Sequence, residues 1–210
     1  MTVELTWATP NAEALIVEMA RVSAPENQSN LDTAPRLLKY LIRNHHWSPF
    51  EMGNMCVKIH TERDISAQIL RHRSFSFQEY STRYAEAQAY TMPQYRRQDF
   101  ANRQNSIDDL SPSMLDELTR LTDQALTNVD SIYRRMLSLG VAKETARRIL
   151  PLCTKTTLYM NGTLRSWIHY LQLRTHESTQ LEHRLIAKQI QAIFMEQFSV
   201  IAEAAFETHN

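Results

Sequence analysis

Residues 71–84 read RHRSFSFQEYSTRY. This short segment holds Arg71, His72, Arg73 and Arg83, the hydroxyls of Ser74, Ser76, Ser81 and Thr82, and the carboxylate of Glu79. A guanidinium withdrawn from water without a partner costs several kcal/mol, so the segment demands partners in the protein or in a ligand. The preceding ERDISAQILRHR has helical period, which predicts that Ile65, Ile69, His72 and Arg73 share one face, two polar residues continuing an apolar stripe. An ion pair with Asp64 or Glu79, or a solvated helix end where cations suit the dipole, is the structural alternative to a ligand site.

The same arrangement recurs downstream. Thr163 caps LRSWIHYLQLR, whose stripe Leu164, Trp167 and Leu171 reaches Arg174, so a guanidinium occupies a core position unless it snorkels from a frayed last turn. Arg147 and Arg148 stand before Pro151, where an exposed basic pair is the plainer reading. Guanidinium groups are planar, permanently charged and bidentate, and they suit phosphates and the polar edge of a uracil-like ring better than lysine does. The residues therefore point to a site for an anionic nucleotide.

Composition narrows the choices. The 210 residues, 43% hydrophobic and 22% charged, suit an ordinary globular protein of one substantial core, expected as one domain over residues 1–210. Formal net charge is zero, so no overall field draws the chain to nucleic acid or an anionic membrane. The only cysteines, Cys56 and Cys153, lack metal-type spacing, and no apolar run has the length of a membrane span; a cytoplasmic protein is expected. With Gly53, Gly140 and Gly162 as the only glycines, neither a GxGxxG nor a GxxxxGK[ST] phosphate cradle can be built.

Periodicity predicts mixed helices and strands, an α+β fold. Thr9 and Pro10 read as the start of a first helix, and Thr33 as the cap of a second. NMCVKIHTE alternates as a strand, and LCTKTTLYMN is rich in β-branched and aromatic residues. Residues 85–111 read as a long polar loop, functional or mobile. Ser111 and Pro112 open a long helix striped by Leu115, Leu118, Leu121, Ala125, Val129, Ile132 and Met136 and ended by Gly140. Thr179 with Glu182 forms a capping box before one final long helix.

Other chemistries are weaker. His45 and His46 are adjacent, His169 and His176 lack the i, i+4 spacing of a helical zinc site, neither cysteine sits in a nucleophile's context, and Ser74, Ser76 and Ser81 lack a GxSxG context.

The run RHR, followed by seven residues and Ser81 with Glu79 and Arg83 beside it, resembles the signature of the flavin-dependent thymidylate synthases. MARVSAP (19–25), SPFE (48–51), ARRILP (146–151) and LRSWIHYLQLRT (164–175) resemble further segments of that family in the same order. The resemblance implies a central antiparallel sheet surrounded by helices, non-Rossmann FAD binding, and a homotetramer with active sites where subunits meet. It implies conversion of dUMP to dTMP, with methylenetetrahydrofolate as carbon donor and NADPH as reductant, hydride passing through FAD and no cysteine nucleophile. By position, Ser23, Ser48, Arg71, His72, Arg73, Glu79, Arg165 and His169 would contact FAD; Gln68, Arg71, Ser81, Arg83, Arg147 and Arg174 would hold dUMP, with Arg174 against the uracil ring as the catalytic residue. Gln78, Met52, His169 and the run Asn161, Gly162, Thr163 depart from residues frequent in the family. A noncatalytic nucleotide or flavin sensor, and a structural oligomer with ion-paired arginines, are the competing readings.

Overall fold

The computed structural model describes residues 1–87 and 89–206. Its elements run β1 (Thr2–Ala8), α1 (Ala12–Ala20), α2 (Ala34–Arg43), β2 (Asn54–Glu62), α3 (Arg63–Ile69), β3 (Ser76–Glu79), β4 (Arg97–Gln98), β5 (Ser106–Ile107), α4 (Pro112–Ser138), α5 (Lys143–Ala146), β6 (Lys155–Thr163), α6 (Leu164–Arg174), α7 (Leu181–Gln197) and α8 (Ser199–Phe206). Four strands form one sheet in the order β1-β2-β6-β3, and β4 with β5 makes a small antiparallel ribbon. The fold is α+β with an antiparallel sheet, as expected. No helix among the described residues is long and apolar enough to cross a membrane.

The chain divides into two compact units, neither a continuous stretch. The first comprises Met1–Ile59, Leu70–Gln78 and Tyr159–Asn210; the second comprises His60–Ile69 and Glu79–Leu158.

In the first unit the core gathers Ile16, Leu38, Phe50, Met55, Trp167, Tyr170, Phe194 and Phe198, all buried. Burying Trp167 requires a partner for its indole N–H, which donates to the Met55 carbonyl at 2.9 Å. Thr163 caps α6 as expected, its hydroxyl accepting from the Ser166 amide at 3.2 Å. Three expectations fail here. Residues 2–8 form a strand, and α1 begins after Asn11 at φ 52°, with the Thr9 hydroxyl accepting from the Asn54 amide instead. Thr179 donates to the Leu173 carbonyl instead of capping α7. The final helix breaks at Phe198, where Glu13 Oε1 accepts from the amides of Val200 and Ile201 at 2.8 and 2.9 Å and so caps α8.

In the second unit Ile65, Ile69, Tyr133, Ala146 and Leu158 are buried. Ser111 caps α4, and Gly140 follows it at φ 81°, the left-handed conformation that suits glycine. Of the stripe expected on α4, Leu121 and Ile132 stand 45% and 52% exposed, and Tyr133 is the one residue of this helix that is fully buried among those described. The stretch 85–111 carries more order than a loop. Lys155 donates to the Ala89 carbonyl and Thr91 to that of Cys153, Arg97 pairs with Asp109 at 2.6 Å, and the ribbon β4–β5 lies within it. Gln88 in this stretch lies outside the described residues.

Candidate active site

Helix α3 stops at Ile69, so His72 and Arg73 leave its face and enter a turn closed by the Phe75 amide donating to the His72 carbonyl at 3.2 Å. Phe75 anchors that turn. Its ring lies 4.7 Å from Trp167, edge to face, and against Gly162, where any Cβ would meet Phe75 Cδ1 at 2.4 Å.

The anchored turn sets His72 beside α6. The Nε–H of Arg174 donates to His72 Nε2 at 2.9 Å, and the His72 ring stands edge to face with Tyr170 at 4.8 Å. An acceptor at Nε2 places the ring proton on Nδ1, so His72 is the neutral tautomer. Burial first, and the Arg174 charge second, push its pKa down to about 4. Behind it, Tyr170 Oη and His183 Nε2 are 3.0 Å apart in a fully buried contact. Burial, then Arg174 and His72, push His183 down to about 3.

The other expected residues of this unit are more open. Arg71 and Arg73 are exposed, and neither makes an ion pair or hydrogen bond through its side chain with another described residue. Ser48 begins a short turn of 3-10 helix, Ser48–Glu51, and is exposed; Ser23 is exposed in the turn after α1. Arg165 pairs with Glu51 of the SPFE run. His169 packs edge to face on Trp47 at 4.6 Å, its pKa lowered by burial and then by Arg165 and His45.

In the second unit Glu79 makes no ion pair with another described residue. Its Oε1 accepts from the hydroxyls of Ser66 at 2.7 Å and Thr156 at 2.9 Å, which removes it as the internal counter-charge for the motif's arginines. Gln68 is half-buried on α3. Ser81 opens a turn in which its carbonyl accepts from the Tyr84 and Ala85 amides and its hydroxyl from the Arg83 amide at 3.4 Å. Arg83 faces Glu144 at 3.7 Å, an exposed pair worth little. Arg147 is half-buried in the 3-10 turn after α5, with no side-chain hydrogen bond to another described residue.

Two clefts of the first unit, about 610 and 580 Å³, are lined by Arg36, Tyr40 and Arg43 and by Thr9, Glu13 and Phe198 among others; neither includes an expected site residue. Both cysteines are free, and burial raises both thiols, the opposite of an activated nucleophile. No group of His, Cys, Asp and Glu among the described residues could hold a metal. Sequence reasoning missed Tyr170 and His183. Tyr170 lies four residues before Arg174 on one helix face, a signal that was there to find; His183 carried none.

Residues 4–199 match the family described as thymidylate synthase complementing protein. A probable flavin-dependent thymidylate synthase of Paramecium bursaria Chlorella virus 1 is 50% identical over 92% of this chain and 90% of its own. The flavin-dependent thymidylate synthase of Synechocystis sp. is 48% identical over 91% of this chain and 88% of its own. Among solved structures, a UMP/dUMP methylase, PolB, from Streptomyces cacaoi bound with 5-Br dUMP superposes with TM-score 0.87 at 29% identity, covering 97% of this chain and 93% of that one. Matching nearly end to end, with the motif's arginines and histidine placed as described, the chain belongs to the family of flavin-dependent thymidylate synthases, which are methyltransferase enzymes.

Proposed function

We propose that this protein converts dUMP to dTMP by reductive methylation, with methylenetetrahydrofolate as carbon donor and NADPH as reductant acting through FAD. The observation that carries the reading is the Arg174–His72 contact. Using Nε on a neutral imidazole leaves both terminal nitrogens of Arg174 for a planar acceptor. Against a uracil ring they would stabilise negative charge on its oxygens and raise nucleophilicity at the ring carbon, with no enzyme adduct. The solved complexes of PolB with 5-Br dUMP and 5-Br UMP support a pyrimidine nucleotide as substrate.

The residues present fit a flavin dinucleotide. Arg71 and Arg73 offer two exposed guanidiniums without side-chain partners among the described residues, suited to a diphosphate that no glycine-rich loop here could cradle. The buried Oδ1 of Asn161 has no hydrogen-bond partner among the described residues, an acceptor open to a bound group. Bound FAD would supply the redox chemistry. For this chain's residues, Ser23, Ser48, His72, Glu79, Arg165 and His169 are assigned with Arg71 and Arg73 to the cofactor; Gln68, Arg71, Ser81, Arg83, Arg147 and Arg174 are assigned to dUMP.

The activity is assigned to the whole chain as a homotetramer with active sites where subunits meet. The exposed stripe of α4 supports assembly, since Leu121 and Ile132, with Leu139 just after the helix, are apolar and open. The two free cysteines fit a reducing cytoplasm.

The test is anaerobic dTMP formation by purified protein given dUMP, methylenetetrahydrofolate and NADPH, with FAD supplied or stripped. Product only with FAD is the expected result. Bound FAD without product would leave a binding protein, and a colourless protein indifferent to dUMP would leave a structural oligomer.

A further inference from the structure

We propose that Tyr170 and His183 are positioning residues for the Arg174–His72 pair: they fix the plane and tautomer of the His72 ring and, through it, the direction in which Arg174 presents its terminal nitrogens. This rests on the reading of Arg174 as the group that meets the pyrimidine.

Four observations lead there. Tyr170 and Arg174 are four residues apart on α6, hence on one face, and both reach His72, the first with its ring at 4.8 Å and 80°, the second with its Nε–H. His183 of α7 is fully buried, bonds the Tyr170 hydroxyl at 3.0 Å, and lies with its own ring 6.2 Å from that of His72 at 84°. Phe75 and Trp167 each stand edge to face with Tyr170 at 5.7 Å, so the phenol ring cannot swing away. Finally, a contact between α6 and α7 that only filled space would be served by apolar side chains, because a buried hydroxyl and imidazole must satisfy each other or cost stability.

The titratable groups facing His72 are Arg174 and Tyr170 from α6 and His183 from α7, with no carboxylate among these contacts. A charged His72 would lose its acceptor lone pair and set one cation against another. The apolar and neutral surroundings supplied by Tyr170 and His183 keep the imidazole an acceptor, and their geometry keeps Nε2 turned toward α6.

The experiment compares wild type with Tyr170→Phe, His183→Leu and His183→Gln in two readouts. Ring-nitrogen NMR of the unliganded protein is expected to show His72 as a neutral, Nδ1-protonated ring in wild type. In Tyr170→Phe and His183→Leu it should show mixed tautomers. Turnover to dTMP should fall on the order of tenfold in those two variants with flavin content unchanged, and the double variant should be no worse than the poorer single one. His183→Gln, which keeps a polar partner for the Tyr170 hydroxyl, should recover most of the loss. An unchanged His72 spectrum, or normal turnover, in folded Tyr170→Phe overturns the proposal. Should wild type form no dTMP, the reading of the reaction fails on its own, while the spectrum of the unliganded protein still decides the positioning.

Discussion

Arg174 and His72, 102 residues apart in the chain, meet through a 2.9 Å hydrogen bond in which the arginine donates and a neutral imidazole accepts. Both His72 and His183 are bases held below their ordinary range, down to about 4 and about 3. In the unfolded chain each titrates near 6.5, so between those values the unfolded state binds more protons and stability rises with pH. The contribution is complete above about pH 6.5 and is lost progressively as pH falls toward 4 for His72 and toward 3 for His183. Urea midpoints at about pH 7.5, 5.5 and 4.5 should fall in that order, and less steeply in His183→Leu. Identical slopes would assign the acid loss to other groups.

On the proposed assignment of Arg174 to the pyrimidine and not to the cofactor, Arg174→Ala should abolish dTMP formation and leave flavin bound. Arg71→Ala and Arg73→Ala should instead lower the flavin retained through gel filtration. Near-normal turnover without Arg174, or full flavin without Arg71 and Arg73, would contradict the assigned roles.

Gly162→Ala should destabilise the fold by about 1–3 kcal/mol, since its methyl would press on the Phe75 ring that anchors the turn. Phe75→Leu in the same chain should recover part of that loss, each compared by chemical denaturation. A neutral Gly162→Ala would mean that the ring can shift freely.

Glu79→Leu should cost about 1–3 kcal/mol by stranding the hydroxyls of Ser66 and Thr156, which are 1% and 5% exposed. Glu79→Gln keeps a carbonyl acceptor and should cost far less in the same denaturation experiment. Equal losses would show that charge, not acceptance, matters there.

If the proposed homotetramer packs through the open face of α4, Ile132→Glu there should shift sedimentation toward smaller species without lowering helix content. An unchanged assembly would move the subunit contacts elsewhere.

Much of the fold could be read in the sequence wherever a local pattern coincided with local chemistry. β2 alternates, Ser111 and Gly140 bracket α4, and Thr163 caps α6. What escaped depended on distant partners. β1 did carry a local signal, Val3, Leu5 and Trp7 alternating with Thr2, Glu4 and Thr6, but most of its side chains are exposed and the helix start read at Thr9 and Pro10 overshadowed it. The motif was placed on a helical face because ILRHR continues the period of α3, while Phe75, drawn onto Trp167 and Gly162, turns the chain at Ile69 instead. His72 and Arg174 each stood out as a polar residue ending an apolar stripe, yet nothing local says that each is the other's partner.

The cap that Glu13 places on α8 joins residues 187 apart. During synthesis from the N-terminus, α1 must leave the ribosome 187 residues before the Glu13 acceptor can meet the amide of Val200. Contacts of such long sequence separation form late, because loop closure precedes any gain from them. Helix α8 thus completes a bond begun by α1, and a nascent chain stalled short of residue 200 would hold that carboxylate idle.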